Sequence, residues 1–145
     1  MFSKACEYGI RSCILIAKNS IENKVTNIKD IAVLVDSPEA FTAKVLQKLA
    51  KDKIITSHKG PSGGFSIKKE RLNKILLKDI VFAIDGEGIY TNCVLGMKKC
   101  SETQPCPVHD QYKHIKENLK NMLETTNLNQ LCSDLNEGLT FLKID

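Results

Sequence analysis

No apolar run in the 145 residues approaches the ~18 that a membrane-spanning helix requires, so the chain is not expected to enter a bilayer. Its start lacks a secretory pattern, because Glu7 and Arg11 interrupt the apolar residues there. There is no long linker, no low-complexity stretch and no internal repeat, which leaves one compact domain with an appended element as the reading for this length. Catalytic constellations are missing as well. There is no phosphate-binding glycine loop, no ordered Ser/His/Asp set and no pair of carboxylates in a pocket-like context, so an enzyme is not expected. A hydrophobic share of 42% with 26% charged residues marks an ordinary globular protein rather than a disordered tail. These absences point to a cytoplasmic protein. In that compartment six cysteines read as thiols or ligands rather than as a disulfide framework.

The charge that is present is uneven. Residues 1–80 hold 15 Lys/Arg against 8 Asp/Glu, whereas residues 81–145 hold 6 against 9, within a net charge of +4. The basic part offers a surface for a polyanion. On charge alone a solvated lysine-rich face is the other reading.

Apolar residues Ile10, Cys13, Ile14 and Ala17 recur at helical spacing and predict a first helix from about Lys4 to Lys18. A second helix is expected over Ile28 to Val35, capped by Asn27, with Asp30 in its positive first turn. Asp36-Ser37-Pro38-Glu39 predicts a third start, with Ser37 as cap and Pro38 at the first helical position, running to about Lys51. The second and third helices are thus joined as tightly as a helix-turn-helix requires. Ile54 to His58, then Lys59-Gly60-Pro61-Ser62-Gly63-Gly64, then Phe65 to Ile67 read as strand, turn and strand, hence a hairpin. A short helix is expected over Leu76 to Ile84. Residues 87–107 show no period. From there Val108, Tyr112, Ile115, Leu119 and Met122 follow a four-three spacing, an a/d seam that favours a partner helix over packing within the chain. The expected fold is mainly α with a small β-hairpin: a winged helix-turn-helix over 1–84, a cysteine-bearing loop over 85–107, and a dimerisation helix with a C-terminal segment over 108–145.

In a winged helix-turn-helix the third helix enters the major groove with its first turns toward the base edges. Ser37, Thr42 and Lys44 are placed there. Thr42 suits a base edge or a thymine methyl, and Lys44 suits guanine acceptors or a phosphate. The tip with Lys59, Gly60 and Ser62 can lie along the adjacent minor groove, and Lys4 and Lys48 can reach phosphates. The expected partners are double-stranded DNA and a second copy of the chain.

The stretch Val45-Leu46-Gln47-Lys48-Leu49 through Ile54 to Phe65, with its Lys-Gly-Pro-Ser-Gly-Gly-Phe wing, resembles the signature of the Rrf family of winged-helix transcription regulators. The resemblance extends to Lys4-Ala5-Cys6-Glu7-Tyr8-Gly9 and to the long helix. It implies a homodimer that binds pseudo-palindromic operators. Ala40, Ala43 and Lys44 depart from the small polar or acidic residues of the cluster-regulating members, so a different operator is expected.

Cys93, Cys100 and Cys106 lie in a loop-like segment with His109 three residues beyond. Thiolates are soft ligands, and the spacing alone admits an iron–sulfur cluster, Zn²⁺ or Cu(I), although zinc sites usually carry a Cys-x₂-Cys pair that is absent here. The resemblance implies an iron–sulfur cluster, since cluster-bearing members hold three cysteines in this place. One extra residue separates Cys93 from Cys100. The resemblance offers two fourth ligands: His109, completing a Cys₃His [2Fe–2S] site, or Glu7, reaching a [4Fe–4S] cluster from the other subunit. His109 is favoured, because it follows Cys106 on the same chain. Such a cluster is easily lost in air, so a purified chain can lack it. The expected control is by redox state, nitric oxide or cluster supply. The alternatives are a cluster-free regulator of the same family sensing a metabolite or a partner protein, and a zinc-binding structural adaptor. Cys6, Cys13 and Cys132 read as buried small hydrophobes, and His58 and His114 as surface.

Overall fold

Helix α1 (Lys4–Ile21) begins at Ser3, whose hydroxyl accepts from the N–H of Cys6. Ser3 also donates its N–H to Asp85 Oδ2 at 3.0 Å and its hydroxyl to Asp85 Oδ1, tying the first helix to the end of another. The structure, a computed structural model, describes residues 1–144. α1 runs one turn beyond the expected end and buries Cys13, Ile16 and Ala17 completely. Gly9 lies where α4 (Leu77–Asp85) crosses. A Cβ there would come within 2.2 Å of Ile84 Cδ1, so the missing side chain sets how closely the two helices pack.

Helix α2 (Ile28–Leu34) is capped as expected: Asn27 accepts from the N–H of Asp30 at 2.9 Å. Val35 to Pro38 make the turn, with Asp36 in the left-handed region at φ 54°. α3 (Glu39–Lys51) follows. Pro38 precedes the helix rather than opening it, and Ser37 does not cap it. The Ser37 hydroxyl instead stands 2.5 Å from Thr42 Oγ1, which donates to the Pro38 carbonyl at 2.7 Å. Because the single Thr42 proton goes to that carbonyl, Ser37 is the donor in the pair.

Strands β1 (Thr56–His58) and β2 (Gly64–Ser66) form the antiparallel hairpin, with Ser57 opposite Phe65. β2 is also bridged on its other side. Thr26 and Phe65 exchange both backbone hydrogen bonds, at 3.0 and 2.8 Å, and this fastens the wing to the loop before α2. Gly64, at φ 150°, makes that approach possible, since a Cβ would meet the Thr26 carbonyl oxygen at 2.4 Å.

Beyond α4 come a short α5 (Gly88–Thr91), an irregular span, α6 (His109–Thr125) and α7 (Leu128–Asn136). α7 lies against α1, placing Leu128 and Cys132 in the main core with Ile16, Leu46 and Ile80. Leu77 and Thr126, and Leu128 and Ile75, are joined by backbone hydrogen bonds. The segment from 108 onward therefore serves two places. Leu119 corrects the expected seam. It is buried within its own chain, in a cluster with Leu123, Cys6, Leu77 and Val81, because α6 leans on α4. Val108 stands just before the helix, and Ile115 and Met122 remain exposed at 52% and 42%. No helix among the described residues is long and apolar enough to cross a membrane.

Candidate functional site

Two surfaces carry the residues singled out above. The first is the outer face of α3 with the wing. Thr42, Val45, Leu46 and Leu49 are buried at the three-four spacing of an inward stripe, so Ala40, Lys44, Gln47, Lys48 and Lys51 are left outside. Thr42 is thus corrected. It is fully buried and hydrogen-bonded to Ser37 and Pro38, and it locks the turn instead of meeting a ligand. Ser37 is half-buried in the same lock. Lys44, Lys48, Lys59, Gly60 and Ser62 are exposed. Between α3 and the wing runs a groove of about 650 Å³, lined among others by Lys29, Ala43, Gln47, His58 and Gly60. Sequence reasoning passed over Lys29 and Gln47. Their signal is in the sequence: Gln47 is one turn from Lys44 on the face opposite Val45 and Leu46, and Lys29 lies in the first turn of α2. His58 Nε2 lies 2.6 Å from the hydroxyl of Ser66 across the hairpin, which steadies the wing. Lys4 is exposed at the start of α1 and pairs with Glu7 at 3.2 Å.

The second surface is a cleft of about 540 Å³ between the irregular span and α6. Cys93, Cys100, Cys106 and His109 all line it. Cys100 Sγ is 3.5 Å from His109 Nδ1. The N–H groups of Leu95 and Met97 hold the Cys93 thiol below its ordinary range, and Cys106 and Lys116 act in the same direction. Glu7 lies on α1 and is not part of this cleft in its own chain. The other cysteines are of a different kind. Burial pushes the Cys6 thiol up to about 12 and that of Cys132 to about 11, and raises Cys13 further. Such thiols are inert in the core.

A single metal ion needs its ligands to converge within ~2.0–2.3 Å of one point. Among the described residues no three His, Cys, Asp or Glu side chains are gathered so closely. An iron–sulfur cluster is held by thiolates on different irons and so accepts donors that stand further apart. By the chemistry of its donors, three thiols and an imidazole lining one open cleft, this set fits an iron–sulfur cluster.

A family profile described as Rrf2, iron-dependent transcriptional regulator, matches residues 2–134. A putative HTH-type transcriptional regulator of Aquifex aeolicus is 32% identical over 133 residues, 90% of this chain and 90% of that one. The HTH-type transcriptional regulator IscR of Photorhabdus laumondii is 22% identical over 127 residues, 88% and 76% of the two chains. Among solved structures, CymR, the global cysteine regulator of B. subtilis, is similar with a TM-score of 0.74 at 23% identity, covering 92% of this chain and 96% of the other. T. potens IscR gives a TM-score of 0.72 at 16% identity, over 97% and 91%. At these identities the solved structures speak for the winged-helix fold alone.

Proposed function

The chain belongs to the Rrf2 family of iron-dependent transcriptional regulators, and from that premise we propose that it is a cytoplasmic homodimer whose hold on DNA is governed by an iron–sulfur cluster at Cys93, Cys100 and Cys106. The observation that carries this reading is that the three thiols and His109 line one cleft at the start of α6. His109 serves as the fourth ligand in a [2Fe–2S] site. Glu7 of a second copy is the competing fourth ligand, for a [4Fe–4S] site. A bound cluster supplies a centre that reacts with oxidants and nitric oxide.

The protein's own residues do the rest. Lys44, Lys48 and Gln47 on α3 face the major groove, with Ser37 at its lip. Lys59, Gly60 and Ser62 follow the minor groove, and Lys4 and the helix starts meet phosphates. Val108, Ile115 and Met122 lie seven residues apart and form the apolar stripe for the second copy, beside Tyr112. The cleft adjoins this stripe on α6. Gathering the thiols orders the span that leads into α6, and thereby fixes the separation of two recognition helices that must meet two half-sites together.

The test is anaerobic purification followed by iron, sulfide and absorbance analysis, with operator affinity and sedimentation measured before and after cluster removal. Iron and sulfide in the chain, a dimer, and an affinity that changes on removal are expected. Equal affinity in both states sinks the switch. Affinity is also expected to fall steeply with salt through counterion release. The second reading, a cluster-free regulator, draws on the absence, among the described residues, of three His, Cys, Asp or Glu side chains gathered as a metal site. A colourless anaerobic preparation that binds DNA would establish it, and zinc without iron or sulfide would favour the structural adaptor.

A further inference from the structure

α6 turns one face to the cysteine cleft, and that face carries His109, Lys113, Lys116 and Lys120. The three lysines differ in what they do there. Lys113 is committed to Glu102, with Nζ 2.9 Å from the carboxylate, so its charge is largely answered. Lys120 lies over the Tyr90 ring, 5.4 Å from its centroid, at the far end of the cleft from His109. Lys116 has no carboxylate within 4 Å among the described residues, and it is half-buried. It crosses the face of Tyr112, 5.7 Å from the ring centroid, and donates to the carbonyl of Asn92 at 3.1 Å. Asn92 is the residue before Cys93. One ammonium group therefore bridges α6 and the strand of chain that carries the first thiol.

Resting on the cluster reading above, we infer that Lys116 is the charge-compensating and positioning residue of the cysteine cleft. Three thiolates drawn together repel one another, and the resulting site is anionic. A cation fixed beside them by Asn92 and Tyr112, with no carboxylate of its own, offsets that charge. The hydrogen bond to Asn92 also holds the backbone from which Cys93 projects. Groups outside the ligand set commonly govern metal retention in this way. Removal of the positive charge favours the oxidised, more positive cluster and weakens retention of either form.

The experiment compares the reconstituted parent chain with Lys116→Gln, Lys116→Arg and Lys113→Gln. Iron and sulfide are supplied without oxygen, the reduction potential is titrated, and cluster loss to a chelator is followed by absorbance. Lys116→Gln is expected to lower the potential and to lose its cluster about tenfold faster, the scale typical of such outer groups. Lys116→Arg should stay near the parent, since charge and donor are kept, and Lys113→Gln should change less than Lys116→Gln. A potential and loss rate in Lys116→Gln equal to the parent's overturn the inference, as does an arginine variant as impaired as the glutamine one. Circular dichroism of the cluster-free variants separates these results from misfolding. A parent chain that takes up no cluster overturns the underlying reading and this inference together, whereas a loaded parent with unaffected Lys116 variants overturns this inference alone.

Discussion

The body built from α1 to α4, the hairpin and α7 buries Ile16, Ile31, Leu46, Leu49 and Ile80 completely, whereas from residue 86 to 108 Cys93 alone is buried. The body gains its stability from apolar area removed from water, at roughly 25 cal/mol per Å². The cysteine span is held by separate hydrogen bonds: Gly96 N–H to Cys93, Cys100 N–H to Thr91, and the lysine contacts to Asn92 and Glu102. A region with few buried contacts opens at low cost, and ligand-responsive segments are drawn from such regions. The proposed recognition surface is thus carried by the tightly packed part and the thiols by the loosely packed one.

The strongest challenge to this contrast is Leu46→Ala. It should lower unfolding free energy by about 2–5 kcal/mol, since the side chain is fully enclosed. Urea denaturation measures it, and a loss under 1 kcal/mol, on the order of an exposed site, would deny that α3 is anchored in a core. Next is Gly64→Ala, expected to cost about 1–3 kcal/mol by strain at positive φ, and more if Thr26 cannot retreat. It should also weaken DNA binding by displacing the wing, which a binding isotherm would reveal. A smaller effect is alkaline. The folded Cys6 thiol titrates near 12, above its unfolded value of about 9. The unfolded chain releases that proton first, so stability is fully present below pH 9 and is lost as pH rises toward 12. Cys6→Ala should make that slope shallower in denaturation curves taken across the range; an unchanged slope would remove Cys6 from the account. The smallest effect sharpens the contrast from the other side. Cys100→Ala should shift the stability of the cluster-free chain by under about 0.5 kcal/mol, while iron and sulfide content collapse. A core-sized loss of stability there would erase the distinction between the two regions.

Much of the body was legible because its signals are local. Asn27 caps α2, the glycine tip makes the wing, and Leu77 to Asp85 is helical within a residue of expectation. Thr42 departs from the outward position its polarity suggests, and periodicity accounts for it, since it precedes Val45, Leu46 and Leu49 on the inward stripe. α7 was passed over, yet Asn127 and Gln130 form a capping box and Leu128, Leu131, Cys132 and Leu135 repeat at helical spacing. α7 and the lean of α6 on α4 are what take Leu119 out of the seam that its spacing predicts. The cysteines were legible as donors but not as an arrangement, because an aperiodic span carries no rule for which thiols meet. Lys116 had no local signal at all, since its meaning arises only where α6 passes Asn92.

Because α7 returns to α1, the span that bears the thiols is a handle with both feet in one body rather than a dangling tail. The entropy it can surrender is bounded by its own short loop and grows only slowly with added length. On the proposed reading, whatever draws its sulfurs together would strain against two fixed anchorages, and that work would pass into the body that carries α3 instead of dissipating in free chain.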